Sequence, residues 1–469
     1  MTGALPAFPT IAQAGKLLAA KKISPTELTR HLLNRITQID SKLHAFITVT
    51  EAQAMAAAKS AERAIKAGKK GPLLGIPVAY KDIFATKGVR TTAHSRVLEN
   101  NIPTADAEAV RRLQAAGAAM LGKLATHEFA IGGPAFDLPW PPACNPWDLA
   151  RFTGGSSSGS GAAVAAGLCL GALGSDTGGS IRLPASYCGI AGMKPTPGLV
   201  SRTGVIPLAP SLDTVGPMAW TAEDCAILLD AIAGHDPADP ASVAGPDIAY
   251  ARSLSAPIKG LRVGVLRYFY ERDVPATEPV QKMMTNAIAV LKSLGCKIED
   301  AVLPPVQAYN AVGRVLITAE AYAQHETNLQ TRLADYSRVF RVRVLAGGLI
   351  RAADYIAALR RRTELIAETA AAFKRFDVLI APATPGTAPM LADARPDEGF
   401  LAPFLTTVAN VAAVPSIVVC GGRTPEGRAG GGLPMGLEII GPAWGDATVL
   451  RVGHQFERAA GNRDERPGL

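Results

Sequence analysis

The chain offers little for metal or disulfide chemistry. Its six cysteines, Cys144, Cys169, Cys188, Cys225, Cys296 and Cys420, are scattered and form no C-x-x-C pair. That spacing argues against a zinc site or a disulfide framework and suits reduced, buried small hydrophobes. No basic block with interleaved aromatics is present, so the net charge of +8 reads as a mildly basic surface and predicts no nucleic-acid partner. Arg360-Arg361-Arg362 reads as a solvated helix face. No N-terminal stretch joins a basic region, an apolar core and a cleavage site, so no signal peptide is expected. The Ala/Gly-rich run from Gly161 to Gly174 spans about 14 residues, too few to cross a membrane. A phosphate-binding loop is also missing, because Ser160-Gly161 stands where Lys-Ser or Lys-Thr is required. The seven histidines (His31, His44, His94, His127, His235, His325 and His454) lack the motif context of a Ser-His enzyme and read as structural or surface residues.

What is present concentrates between Phe152 and Pro197. Two Gly-Gly-Ser turns, Gly154-Gly155-Ser156 and Gly178-Gly179-Ser180, flank the small apolar run Gly161 to Gly174. The spacing predicts a buried helix over that run, with the two serine-bearing loops held side by side at its ends. Glycine lets backbone N–H groups point into a site, where they can bind a developing oxyanion. Gly155 to Gly159 also fits the G-x-S-x-G nucleophile elbow, but the loop-like Asn145 to Arg151 precedes it instead of a hydrophobic strand.

Elsewhere helices and strands interleave. Ser24-Pro25-Thr26-Glu27 is a capping box with proline at the first helical position, opening a helix through Gln38. Gly75 to Tyr80 reads as a strand that delivers Lys81 among apolar neighbours. At that strand end Lys81 either snorkels out to solvent or is buried, in which case burial disfavours the ammonium and lets it act as a base. Ala119 to Leu124, Leu261 to Tyr268, Asp377 to Ala381, Ser416 to Cys420 and Met435 to Ile440 read as strands. Asn310 to Phe373 reads as largely helical, and Pro237 to Pro246 as a connection and candidate lobe boundary. The alternation predicts an α/β layered architecture.

The chain resembles the amidase signature family. The resemblance rests on Gly154-Gly155-Ser156-Ser157, Gly174 to Arg182, Cys188-Gly189 and Lys194-Pro195-Thr196. Further matches are Gly75 to Val78 with Lys81-Asp82, Asn145-Pro146-Trp147, Ser211-Leu212-Asp213, Gly216-Pro217 and Leu433 to Leu437. It implies one domain over residues 1–469, a mixed central sheet covered by helices on both faces, with the catalytic core at about 70–220. It further implies Ser180 as nucleophile, Ser156 as bridging serine after a cis peptide bond, and Lys81 as base. Thr177, Gly178, Gly179 and Ser180 would supply oxyanion N–H groups, and the segment with Ala130 would line the substrate site. Asp176 and Arg182 are expected to form an ion pair holding the loop. No metal or organic cofactor is implied.

Two activities follow from the resemblance. The favoured expectation is a stand-alone cytoplasmic hydrolase, monomer or homodimer, acting on small amides, aryl amides or carbamates. The alternative is the amidase subunit of a glutamine-dependent tRNA amidotransferase. Such subunits carry an acidic glutamine-binding residue a few positions before the Asn that aligns with Asn410, where this chain has Pro403-Phe404-Leu405. That apolar run, with Leu401, favours the first expectation, through packing against an apolar substrate portion.

Overall fold

The computed structural model describes residues 8–394, 403–425, 432–463 and 465–469. In chain order the first strands are β1 (Phe46–Val49), β2 (Pro77–Lys81), β3 (Ala119–Leu124), β4 (Cys144–Asn145), β5 (Asp148–Phe152) and β6 (Gly171–Asp176). They continue with β7 (Ala191–Lys194), β8 (Thr214–Ala219), β9 (Arg262–Val265), β10 (Lys297–Asp300), β11 (Val378–Pro382), β12 (Ser416–Arg423) and β13 (Pro434–Ile440). Eleven of them form one sheet, ordered β1-β3-β2-β6-β8-β7-β12-β13-β11-β9-β10, while β4 and β5 make a separate hairpin. The sheet is mixed: β6 runs parallel to β2 and antiparallel to β8. Helices pack against it, and strands from either side of residues 237–246 share it. Asp236 and Asp239 tie that segment to Ser201 Oγ and the Arg202 N–H.

Local signals at the N-terminal helices act as read. Ser24 and Glu27 form the reciprocal capping box, although the helix they open, Pro25–Leu43, runs past Gln38. The helix expected over Gly161 to Gly174 is corrected: a short helix, Ser158–Ala165, is followed by β6. Gly167, at φ +66°, turns the chain between them. The small side chains serve a different purpose from the one expected. A Cβ on Gly174 would lie 2.9 Å from both Met218 Sδ and Ser157 Oγ, so the residue lets the helix and its neighbouring strand close on β6. Among the described residues, no helix is long and apolar enough to cross a membrane.

Candidate active site

Two parallel strand ends bring the site together. Lys81 ends β2, and Ser175-Asp176 end β6, its neighbour in the sheet. Lys81 is fully buried, and its Nζ lies 2.7 Å from Ser156 Oγ and 2.9 Å from Ser175 Oγ. Burial draws the lysine down to about 7, against the opposing pull of Asp176 and Asp213. A neutral amine beside a serine hydroxyl can take its proton. Ser175 is not singled out by the sequence reading. Its sole signal was its place in the long Gly174 to Arg182 motif.

The two Gly-Gly-Ser loops sit side by side as expected, but through strand β6. Ser157 joins them: its N–H donates to Ser180 O at 3.1 Å and its Oγ to Ser175 O at 3.3 Å. The Gly155-Ser156 peptide is cis. Gly155 faces the His127 ring so closely that a Cβ there would lie 2.1 Å from Cε1. His127 thus lies in the site despite its structural reading. Burial, then the nearby Lys81, hold it down to about 3, so the ring is neutral and no proton store.

Ser180 precedes the helix Arg182–Cys188 and faces a cavity of about 370 Å³. The same cavity is lined by Ser156, Thr177, Gly178, Ala130, Ile131, His127, Phe152, Ile317 and Phe404, among others. Among the described residues, the N–H groups of Thr177, Gly178 and Ser180 donate to no acceptor. The expected fourth donor is corrected: the Gly179 N–H is taken by Asp176 Oδ1 at 2.8 Å. The chain reaches that geometry only with glycine, at φ +132° and with Thr406 Oγ1 2.1 Å from a would-be Cβ. Leu405 is also corrected, since it is buried in the core instead of lining the cavity. Leu401 lies outside the described residues.

A buried ion network holds the Ser180 loop. Arg182 pairs with Asp176 at 2.8 Å and Glu438 at 2.6 Å, all three buried, and Asn410 bonds both Arg182 and Asp176. Burial alone would raise the Asp176 carboxyl, but the Arg182 guanidinium and its hydrogen bonds hold it well below the usual range. Asp176 also accepts the Ile181 N–H at 3.0 Å, so the Arg182 pair shapes the turn around Ser180. Arg182→Ala should destabilise the fold by about 3–5 kcal/mol, because it strands two buried carboxylates. Urea denaturation measures this; a loss under about 1 kcal/mol would mean the network contributes little.

With this geometry established, comparison with known proteins places the chain. The family model described as Amidase matches residues 27–450. A curated relative, a glutamyl-tRNA(Gln) amidotransferase subunit of Geobacter metallireducens, is 39% identical over 98% of this chain and 99% of its own. The solved structure of the corresponding glutamyl-tRNA(Gln) amidotransferase subunit from Thermotoga maritima is 34% identical, with TM-score 0.81 over 97% of this chain and 96% of that one. The native peptide amidase from Stenotrophomonas maltophilia is 30% identical, with TM-score 0.84 over 98% of both chains. These relatives overturn two expectations. The favoured stand-alone hydrolase of aryl amides or carbamates gives way, because curated relatives at 37–40% identity over nearly the whole chain are amidotransferase subunits. The expectation of no nucleic-acid partner and a monomer or homodimer falls with it, since the relatives' names specify a tRNA and one subunit of an assembly. Reading the substrate from the absence of one carboxylate near Phe404 gave a single local feature more weight than the whole chain carries.

Proposed function

The chain belongs to the amidase signature family and is an enzyme of amide C–N bonds, and we propose that it is the amide-cleaving subunit of a glutamine-dependent tRNA amidotransferase. The observation that carries this reading is the near-complete coverage, in both directions, by relatives that bear that subunit's name. In this reading Lys81, Ser156 and Ser180 are the catalytic residues. Neutral Lys81 draws a proton from Ser180 through Ser156, and Ser180 Oγ attacks the side-chain amide carbonyl of glutamine. The Thr177, Gly178 and Ser180 N–H groups stabilise the oxyanion. The proton returns to the leaving nitrogen, ammonia departs, and a γ-glutamyl ester remains on Ser180. Water then attacks the ester through the same relay and releases glutamate. The ammonia goes to an aminoacyl-tRNA held by the assembled enzyme, which places the chain in the cytoplasm. No step requires a metal or organic cofactor in this polypeptide. The chain forms one domain over residues 1–469, with its catalytic core at about 70–220, and residues 237–246 connect two parts of the chain that share one sheet.

The test is direct. The protein, purified with whatever partner chains accompany it, is given glutamine, ATP, magnesium ion and glutamyl-tRNA(Gln), and the amino acid on the tRNA is analysed. Conversion of tRNA-bound glutamate to glutamine is expected, in step with ammonia lost from free glutamine. If glutamine is untouched while simple anilides are cleaved, the reading is wrong.

A further inference from the structure

A zwitterionic amide donor poses a problem that the catalytic serine does not address. Glutamine carries a carboxylate and an ammonium on its α-carbon, two methylenes from the amide. A charge moved from water into a cavity needs a counter-charge there. The described lining of the cavity holds two cationic side chains, Arg314 and Arg343, and one carboxylate, Asp393. His127 and Tyr187, the other titratable rings of the described lining, are both neutral. Arg314 lies on the long helix Val306–Thr331 and Arg343 on the short helix Arg338–Val344. Glu128 ties the start of that short helix to the cavity wall, accepting the Ser337 N–H at 3.0 Å and the Ser337 hydroxyl at 2.5 Å. The short helix that carries Arg343 is thereby fixed to the cavity wall.

Asp393 comes from elsewhere. It ends the short turn Leu391–Asp393, and the chain before that turn is fastened to strand β5. The Phe152 N–H donates to Pro389 O at 2.9 Å, and Arg151 Nη1 to Ala388 O at 2.7 Å. Phe152 itself lines the cavity, so the anchored turn sits at its rim. Asp393 is exposed and makes no hydrogen bond or ion pair through its carboxylate among the described residues. At position 403, where the apolar run begins, proline offers no charge. Asn310 fixes Phe404, which follows it, by bonding both its N–H (2.8 Å) and its carbonyl (3.0 Å). The Phe404 side of the rim is therefore set as an apolar wall, and among the described lining residues the one carboxylate is that of Asp393.

We propose that Asp393 is the specificity-determining residue that receives the α-ammonium of the amide donor. This rests on the reading of glutamine as that donor. It makes the cavity selective for an α-amino acid amide over the same amide without its amino group. The charge pair forms at a rim open to water, so its effect is on binding and modest in size.

The experiment compares two donors on the enzyme as it purifies, partner chains included: L-glutamine, and 4-carbamoylbutanoate, which has the same chain and carboxylate but no ammonium. Ammonia release is measured for wild type, Asp393→Asn and Asp393→Glu. Asp393→Asn should raise KM for glutamine about threefold to tenfold, with kcat within about twofold and KM for 4-carbamoylbutanoate unchanged. Asp393→Glu should keep the preference for glutamine. An unchanged glutamine KM in Asp393→Asn, or an equal rise for both donors, would overturn the role of Asp393 while glutamine remains the substrate. Wild type that cleaves 4-carbamoylbutanoate but not glutamine would overturn the donor reading, and the role of Asp393 with it.

Discussion

Ser180→Ala should abolish covalent labelling by a serine-directed fluorophosphonate and cut turnover by roughly four to six orders of magnitude, with the protein still folded. The size follows from the chemistry: without Oγ no acyl-enzyme forms, and only binding and the oxyanion donors remain to act on water. Selectivity for this serine follows from the geometry. Ser156 is engaged by Lys81, and Ser157 donates its hydroxyl to Ser175 O. Ser158 is buried at the start of a helix. Ser180 alone of these loop serines lines the cavity beside three unengaged N–H groups without a hydrogen bond from its own hydroxyl among the described residues. Removing that hydroxyl leaves no buried partner stranded, so the melting temperature should stay within about two degrees. Label persisting on Ser157 or Ser158 in the variant would sink the assignment.

Lys81→Ala should cost several orders of magnitude in kcat and remove a pH dependence as well. Burial brings the wild-type lysine to about 7 from its ordinary 10.5, so the free amine predominates only above that pH. A base must be unprotonated to work, hence ammonia release should rise between about pH 6 and 8 and then level off. Other buried groups share this range: burial also brings Lys194 down to about 7 and Glu128 up to about 7. The residual activity of Lys81→Ala decides among them. It should be flat across the interval, while Lys194→Met, which lies outside the cavity, should keep the wild-type limb. A limb that survives in Lys81→Ala would assign the titration to another group. Near-normal activity at neutral pH would remove the lysine from the mechanism.

The sequence was most legible where chemistry and local structure depend on neighbouring residues. The Ser24 capping box and the strand Ala119–Leu124 depend on local pattern and lie where they were read, and the strand read over Gly75 to Tyr80 is present as Pro77–Lys81, with Lys81 its last residue. The reading failed at the centre of the sheet. Strands β6, β7 and β8 are short and rich in Gly and Ala, and both their faces are buried. A strand covered on both sides has no polar alternation to display, and small residues carry little strand preference of their own. The run from Gly161 to Gly174 therefore looked like one helix. Only its pairing with β2 and β8 divides it.

By itself the sequence determined the family, the layered α/β class and the identity of Lys81, Ser156 and Ser180 as the residues to inspect, because a long motif constrains residue type at each position. Tertiary structure alone decided how they meet. The parallel register of β2 and β6 sets Ser175 against Lys81, and Asp176, paired with Arg182, engages the Gly179 N–H. It also brings Arg314, Arg343 and Asp393, far apart along the chain, to one cavity. Charge complementarity to a substrate is a property of positions in space, and residues on three separate segments leave no spacing in the sequence from which it could be read.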